Sequence, residues 1–391
     1  MEDPKVEFGL DTFGDVTVGD DGKAIPYAQV IRNVVEQAVL ADRVGVDAFG
    51  VGEHHRDDYA VSAPEIVLAA IAAKTERIKL GTAVTVLSSD DPVRVFERFA
   101  TLDAISGGRS EIILGRGSFT ESFPLFGYDL SDYEQLFSEK LDLISHLLTE
   151  EPVTWSGSVR PPLKDQQVYP KTESGRIHAS IGVGGSPESV VRAAQYGLPL
   201  VLAIIGGEPA RFAPYVDLYH RALKELAELE PNQPEPGQPE PGQPEPGQPE
   251  PGQPEPGQPE PGQPEPGQLE PDQPVVTPHV AAHCPGFVAE TDEEAIEVLW
   301  PHARRMLDRL GRERGWPRTT KDRFVADITQ GAWHVGSPET VAQKIAATVS
   351  ALGIQRFDLK YSHGTLPHDR LMKCVELYGT QVIPRVRELL A

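Results

Sequence analysis

The chain has 391 residues, of which 39% are hydrophobic, and it carries a formal net charge of −23 at pH 7. This length can bury one large core or two smaller ones, and the acidic balance argues against a general nucleic-acid-binding protein. Only Cys284 and Cys374 are present, which excludes a disulfide framework or a zinc ribbon and favours a reducing cytosol. Because no run of about 18 apolar residues and no signal-peptide pattern occurs, we expect a cytoplasmic protein.

A low-complexity segment interrupts the second half of the chain. Residues 234–268 are seven perfect copies of Pro-Glu-Pro-Gly-Gln, and a degenerate copy follows at 269–273. This composition has almost no apolar side chains to offset the entropy of ordering. We therefore predict a disordered insertion at 231–274 within a single domain that spans 1–391. It is either a surface loop that the fold tolerates, because loop-closure cost grows slowly with length, or a tether that binds a partner.

Strand-like and helix-like segments alternate along the rest of the chain. Apolar runs predict strands at 6–13, 47–52, 78–85, 109–115, 178–183, 198–205, 280–289 and 357–361. Amphipathic periodicity, with prolines at helix starts and glycines at helix ends, predicts helices at 27–44, 64–75, 92–105, 131–148, 187–196, 209–228, 292–310 and 367–390. Residues 311–336 and a helix at 338–352 form an extra excursion before the last strand.

These alternating strand–helix units predict an α/β fold, namely a (β/α)8 TIM barrel with an insertion before strand eight. A doubly wound open sheet is the alternative. In a TIM barrel the strand-to-helix loops form the catalytic face, and the helix-to-strand loops lie on the opposite face. The repeat joins a helix to a strand, so we expect it on the face opposite the active site.

The second predicted strand ends in Glu53, His54 and His55. Side chains alternate along a strand, so the two adjacent histidines cannot point the same way; a strand that holds a metal would instead need His-x-His. One imidazole can face a pocket, and an imidazole can transfer a proton near neutral pH. The alternative is an ordinary polar loop after a strand.

The loop after the fifth predicted strand favours an anion site. Its glycines, Gly184 and Gly185, let backbone amides approach an anion, and Ser186 can cap the helix that a proline then begins. Arg116, one strand earlier, can add a charged partner or pair with a local Glu. An ordinary capped helix is the alternative, since residues 336–340 repeat the Gly-Ser-Pro-Glu pattern without a clear strand before them.

Several of these motifs, in their order along the chain, resemble one known family. They are the Glu-His-His strand end at 53–55, Gly-Thr-Ala-Val at 81–84, Asp-x-x-Ser-x-Gly-Arg at 103–109, Gly-Arg-Gly at 115–117 and Ala-Ala-Gln-Tyr-Gly-Leu-Pro at 193–199. Together they resemble bacterial luciferase-like flavin monooxygenases. The similarity extends over nearly the whole chain outside the repeat, and the fixed order of the motifs makes it specific.

The resemblance implies a TIM barrel that binds reduced FMN and reacts it with dioxygen to oxidise an aldehyde or another small organic substrate. The flavin-binding residues that it implies are Ala83, Val84, Arg116, Gly184, Gly185 and Ser186. Arg116 and the glycine loop would hold the phosphate, and a non-proline cis peptide at the Ala83-Val84 segment would lie behind the isoalloxazine ring. The resemblance implies that His54 is the catalytic proton-transfer group. We add the hypothesis that Glu53 or His55 orients the His54 ring as part of the catalytic site.

The resemblance also implies partners and one departure. No nicotinamide site is recognisable, so a separate flavin reductase should supply reduced FMN, and relatives suggest a homodimer. Residues 311–336 correspond by position to the flexible lid of luciferase. Gly115 stands where luciferase has a reactive cysteine, so light emission is not expected and the missing side chain should leave room for a different substrate. The alternatives are a deazaflavin-dependent dehydrogenase on the same barrel, a non-catalytic flavin carrier and a metal-dependent hydrolase.

Overall fold

Parallel strands and surrounding helices make up the computed structural model, which describes residues 6–19, 21–117, 119–229 and 279–391. The strands are β1 (Glu7–Thr12), β2 (Ala48–Val51), β3 (Lys79–Thr82), β4 (Thr85–Val86), β5 (Ser110–Gly115), β6 (Val153–Trp155), β7 (Leu163–Gln166), β8 (His178–Val183), β9 (Leu200–Ala203), β10 (Val280–Val288), β11 (His334–Gly336) and β12 (Arg356–Lys360). The helices are α1 (Tyr27–Arg43), α2 (Pro64–Ala72), α3 (Pro92–Ser106), α4 (Ser122–Phe126), α5 (Tyr133–Leu147), α6 (Pro187–Gln195), α7 (Ala213–Leu229), α8 (Asp292–Arg314), α9 (Lys321–Gln330), α10 (Pro338–Leu352), α11 (His368–Leu377) and α12 (Ile383–Leu390).

Eight of these strands close into a ring. In order around the barrel they are β1, β2, β3, β5, β8, β9, β10 and β12, and every neighbouring pair is parallel. Phe8 of β1 lies opposite Phe357 of β12, which joins the first strand to the last. The predicted TIM barrel is therefore confirmed. The open sheet is wrong, because each strand of the ring has a partner on both sides.

Some local features differ from the predictions. The strand predicted at 78–85 is divided into β3 and β4, with a cis peptide bond between Ala83 and Val84. The last predicted helix is two helices joined by a π-helical segment at Tyr378–Val382. The antiparallel hairpin of β6 and β7 was not predicted, because β7 is largely exposed and has no apolar run. The disordered insertion predicted at 231–274 lies outside the described residues.

The apolar core lies between the ring of strands and the helices. In β12, Phe357 and Leu359 are fully buried in this layer, whereas Arg356, Asp358 and Lys360 alternate with them. Alternation along a strand sends the second set into the barrel. Among the helices of the described ranges, none has the length and apolar composition needed to cross a bilayer.

Charged side chains fill the amino-terminal end of the barrel interior. Arg356 donates to Glu111 Oε2 at 2.5 Å and to Asp358 Oδ1 at 2.9 Å. Because β5 and β12 are not neighbours in the ring, the contact between Arg356 and Glu111 crosses the interior. Gly9 makes space for this network, since a Cβ there would lie 1.9 Å from Asp358 Oδ1. We call Glu111, Arg356 and Asp358 the barrel floor.

A buried histidine in β11 predicts a pH dependence of stability. His334 is 2% exposed; its Nδ1 donates to the carbonyl of Ala332 at 2.8 Å, so its Nε2, 3.1 Å away, accepts from Thr348 Oγ1. Burial lowers the pKa of His334 to about 4. When the pKa of a histidine is lower in the folded than in the unfolded protein, the unfolded protein binds the proton more readily. The free energy of unfolding is therefore highest above the unfolded pKa and decreases as the pH falls toward the folded pKa.

We therefore expect His334 to contribute a loss of about 2 kcal/mol in unfolding free energy between pH 7 and pH 5. His334→Gln should make the free energy of unfolding depend less on pH between pH 7 and pH 5, as measured by urea unfolding at several pH values. The matched control is His220→Gln, at an exposed position of α7. If the free energy of unfolding depends on pH in the same way in wild type and His334→Gln, His334 is not the source of this pH dependence.

Candidate active site

The carboxyl ends of the barrel strands carry the predicted site residues. His54 follows β2, Ala83 and Val84 follow β3, Arg116 follows β5 and Gly184 follows β8. All strands of a parallel barrel point the same way, so these positions share one face. Side chains link the loops of this face, since Arg116 Nη2 donates to Ser189 Oγ of α6 at 2.7 Å.

His54 lies in an aromatic enclosure. Its ring centroid is 4.6 Å from that of Phe13, 4.4 Å from Tyr59 and 5.0 Å from Phe119. The His54 Nε2 atom is buried and has no hydrogen-bond partner among the described residues. Burial, with smaller effects of the nearby Lys360 and Arg56 charges, lowers the pKa of His54 to about 3. The imidazole is therefore neutral near pH 7, and a buried nitrogen without a partner is suited to a ligand.

Glu53 and His55 are bonded to each other. His55 Nε2 lies 2.8 Å from Glu53 Oε1, and Glu53 Oε2 accepts from the Val86 amide at 3.3 Å. The two histidines thus have different surroundings, as the alternation along a strand predicted. Glu53 and His55 adjoin a separate polar cavity of about 170 Å³. The prediction that one of them orients the His54 ring finds no support in these contacts, because the aromatic rings hold it instead.

The cis peptide that the resemblance implies is present between Ala83 and Val84. Two glycines border it closely: a Cβ on Gly115 would lie 2.4 Å from Val84 Cγ2, and one on Gly182 would lie 3.2 Å from Val84 Cγ1. The room expected at Gly115 is therefore not free, because the Val84 side chain takes it. This part of the sequence-based expectation is wrong.

The close packing predicts that Gly115→Ala destabilises the protein by about 1 to 3 kcal/mol, as is usual for overpacking. The clash is with the Val84 side chain, so Val84→Ala in the same chain should recover part of the loss, and Val84→Ala alone provides the matched control. Urea unfolding midpoints measure all three variants. If Gly115→Ala unfolds at the wild-type midpoint, the packing described here is not the constraint.

Arginines and a carboxylate meet at the start of α6. Arg116 Nη1 donates to both carboxylate oxygens of Glu134 at 2.8 Å, and Arg192 Nη2 lies 3.6 Å from Glu134 Oε1. Arg192 Nη1 is buried without a hydrogen-bond partner among the described residues. We call Arg116, Arg192, Glu134 and Ser189 the arginine cluster. Arg116 therefore does pair with a glutamate, although Glu134 is 18 residues away and is not the local partner that we considered. The site also contains a second arginine, Arg192.

The glycine loop forms the amino-terminal end of α6. Gly185 has φ +105°, a conformation that L side chains rarely adopt, and its carbonyl accepts from Tyr215 Oη at 2.7 Å. Ser186 caps the helix, accepting from the Ser189 amide at 3.3 Å. A helix start carries partial positive charge, which adds to that of the arginines.

The second Gly-Ser-Pro-Glu pattern differs from the first in its surroundings. It does follow a short strand, β11, so the expectation that no strand precedes it is wrong. At this helix, α10, the Asp292 carboxylate accepts from the Ser337 amide at 2.6 Å and from Thr340 Oγ1 at 2.9 Å. An internal carboxylate thus already binds the start of α10. The start of α6, with two arginines beside it, is the better candidate for an external anion.

Sequence reasoning missed Ser189, Arg192 and Glu134. A signal for two of them was present, because Ser189 and Arg192 are three residues apart and so share one face of α6. Glu134 lies in the first turn of α5, and nothing in its local sequence relates it to Arg116. Among the described residues no group of three or more His, Cys, Asp or Glu side chains is placed to hold a metal ion.

A buried arginine joins the excursion to the site. Arg56, whose side chain is 4% exposed, donates to both oxygens of Glu313 at 2.8 Å and to Glu121 Oε1 at 2.8 Å. Its guanidinium carbon lies 4.4 Å from the ring centroid of Phe119, the ring that covers His54. The hydrogen bond from Arg56 lowers the pKa of Glu313 to about 2, so this ion pair persists at neutral pH. The ion pair thus holds the carboxyl end of α8 next to the aromatic rings that surround His54.

A family model described as luciferase-like monooxygenase matches residues 7–250, which is more than half of the chain. The chain belongs to this family. The resemblance noted from the sequence motifs is therefore confirmed.

Curated relatives match parts of the chain. One is 4-hydroxyprotoasukamycin monooxygenase from Streptomyces nodosus subsp. asukaensis, with 35% identity over 169 residues, 42% of this chain and 44% of the relative. Another is N-acetyl-S-alkylcysteine monooxygenase from Bacillus subtilis (strain 168), with 30% identity over 195 residues, 48% of this chain and 55% of the relative. The matches thus span about half the length of these relatives.

Solved structures share the fold over nearly the full chain. Monooxygenase RslO1 from Streptomyces bottropensis has a TM-score of 0.71 at 20% identity and covers 97% of this chain and 99% of its own. The oxygenating constituent of 3,6-diketocamphane monooxygenase from Pseudomonas putida, in complex with FMN, has a TM-score of 0.67 at 18% identity, with 97% and 98% covered. A coenzyme F420-dependent secondary alcohol dehydrogenase has a TM-score of 0.67 at 17% identity, with 98% and 99% covered.

Proposed function

We propose that this protein is the oxygenating component of a two-component monooxygenase that uses reduced FMN and dioxygen to oxidise an aldehyde or another small organic molecule. The observation that carries the proposal is the neutral, enclosed imidazole of His54, whose buried Nε2 has no partner among the described residues. Membership of the luciferase-like monooxygenase family and the named monooxygenase relatives support it.

The residues at the catalytic face fit a phosphorylated flavin. The arginine cluster and the start of α6 offer guanidinium groups, a hydroxyl and helix amides, which are the donors that a phosphate group requires. Ala83 and Val84 would lie behind the ring system. When bound, the reduced flavin supplies the electrons and the reaction with dioxygen.

The chain's own side chains would perform three tasks. His54 would hold or move a proton at Nε2, the buried nitrogen that has no partner among the described residues. Phe13, Tyr59 and Phe119 exclude water around it. The ion pair of Arg56 with Glu313 fastens the end of α8 over the enclosure, in the part of the chain that we propose to act as a lid.

Four further proposals concern the setting of the enzyme. A separate reductase would supply reduced FMN, as the phrase "oxygenating constituent" in the name of one structural relative suggests. We infer a homodimer and a cytoplasmic location, the latter supported by two buried cysteines that are both free thiols. We also propose that residues 1–391 form one domain; the insertion at 231–274 lies outside the described residues.

A second candidate function has a specific observation in its favour. Enzymes that use coenzyme F420, a deazaflavin, share this fold with a TM-score as high as that of the FMN complex. Such an enzyme would transfer hydride and would not use dioxygen.

The experiment that separates these functions supplies the purified chain with a flavin reductase, FMN, labelled dioxygen and a straight-chain aldehyde. Free reduced FMN consumes dioxygen unaided, so the product is the readout, and we expect one labelled oxygen atom in it. Oxidation of a secondary alcohol with the deazaflavin and no dioxygen would favour the second candidate. Tight flavin binding with no product from a panel of aldehydes, ketones and thioethers would favour a carrier.

A further inference from the structure

We propose that Glu134 is an internal competitor for the phosphate site, and that only a dianionic phosphomonoester displaces it effectively. The inference rests on the proposed function, because its ligand is the phosphate group of the bound flavin. It adds a selectivity element, carried by a carboxylate at the rim of the arginine cluster.

The contacts of Glu134 suit a displaceable group. Both of its carboxylate oxygens accept from Arg116 Nη1 at 2.8 Å, and one lies 3.6 Å from Arg192 Nη2. The Glu134 side chain is 59% exposed, whereas those of Arg116 and Arg192 are 24% and 19% exposed. The arginines are thus set inside the site and the carboxylate closes it from the outside. Its exposure lets the Glu134 carboxylate turn into solvent when a ligand replaces it.

The arginines are held for an anion independently of Glu134. Arg116 packs against the rings of Tyr133 and Phe137, with its guanidinium carbon 5.4 and 5.6 Å from their centroids, and Arg192 lies 5.6 Å from Phe137. Arg116 also donates to Ser189 Oγ at 2.7 Å. The Ser189 hydroxyl, which accepts this bond, still has a hydrogen to donate. When Glu134 leaves, this preformed set of donors remains.

The charges explain why a dianion is favoured. The two guanidinium groups and the Glu134 carboxylate sum to +1 within the cluster, and the Glu188 carboxylate, which accepts from Ser186 Oγ at 2.7 Å, adds a negative charge near Arg192. A monoanion that replaces Glu134 exchanges one negative charge for another and gains little. A phosphomonoester carries about −1.5 to −2 charges at pH 7 and therefore gains an additional attraction to both arginines. FMN ends in a phosphomonoester, whereas the phosphate of the deazaflavin coenzyme is a diester with a single charge, so Glu134 favours FMN.

The test is an anaerobic titration of the full chain with reduced FMN, with reduced riboflavin, which lacks the phosphate, and with inorganic phosphate as competitor. Glu134→Gln should tighten FMN binding about two- to five-fold, the range expected for removing an exposed ion pair. It should leave riboflavin affinity unchanged and lower the inhibition constant of inorganic phosphate as a competitor of FMN. The control is Asp132→Asn, which removes the same charge two residues away at a position that makes no capping hydrogen bond.

Each outcome decides one question. If Glu134→Gln binds FMN no more tightly than wild type, or if Asp132→Asn tightens it equally, the competitor role is overturned while the proposed function stands. If riboflavin gains as much as FMN, the effect does not act through the phosphate and the inference fails. If neither wild type nor variant binds FMN, the proposed function fails as well. Thermal unfolding of each variant confirms that the fold is intact.

Discussion

His54→Ala is expected to slow turnover by about two to four orders of magnitude, the usual contribution of a positioned proton-transfer group. Flavin affinity should change by less than about threefold, because His54 makes no contact with the arginine cluster and loses only ring packing. The measurement is the rate of labelled product formation at saturating reduced FMN, together with an anaerobic flavin titration of the same variant.

The enclosure makes a rescue experiment informative. Removal of the ring leaves a hole the size of an imidazole between Phe13, Tyr59 and Phe119, so added imidazole should restore part of the His54→Ala rate. His220→Ala, at an exposed position of α7, is the matched control and should behave as wild type. A His54→Ala enzyme with undiminished turnover would remove His54 from the proton-transfer step.

Arg116→Ala is expected to weaken the binding of reduced FMN by about ten- to a hundred-fold, since hydrogen bonds to charged groups contribute about 1.5 to 3 kcal/mol. Riboflavin affinity should not change, because it lacks the phosphate. Turnover at saturating FMN should stay within about threefold of wild type, because Arg116 does not contact His54. The same anaerobic titration provides the dissociation constants.

Arg94→Ala is the matched control for the loss of one arginine, since Arg94 lies on α3 with a side chain that is 74% exposed. It should leave both affinities unchanged. If Arg116→Ala weakens riboflavin and FMN equally, Arg116 acts on the fold of the loop and does not bind the phosphate. An unchanged FMN dissociation constant would assign the phosphate to another part of the catalytic face.

Local sequence patterns were sufficient to predict the barrel and the face on which its candidate site residues lie. Apolar runs, glycines and prolines mark where strands and helices begin and end, and the parallel topology then assigns every strand end to one face. For this reason His54, Arg116 and the glycine loop could be located at the catalytic face from sequence alone. The cis peptide between Ala83 and Val84 came from the resemblance and not from any local propensity.

The partners of these residues could not be predicted, because they depend on contacts between distant segments. Glu53 binds His55 and a backbone amide beyond β3, and neither partner could be predicted from its local sequence. Gly115 was expected to leave a space, but Val84, from the segment between β3 and β4, fills it. Glu134 and Arg116 are 18 residues apart and belong to different elements. Such pairings are set by tertiary geometry, which neither hydrophobic periodicity nor turn chemistry encodes.

The barrel floor has a consequence for the order of events during turnover. Arg356 binds both Glu111 and Asp358, and its contact with Glu111 crosses the interior. Organic substrate and product would then reach the candidate site from the opposite end, where the carboxyl ends of the strands lie. We therefore expect product to leave before the next substrate molecule binds, so that a product analogue competes directly with the substrate.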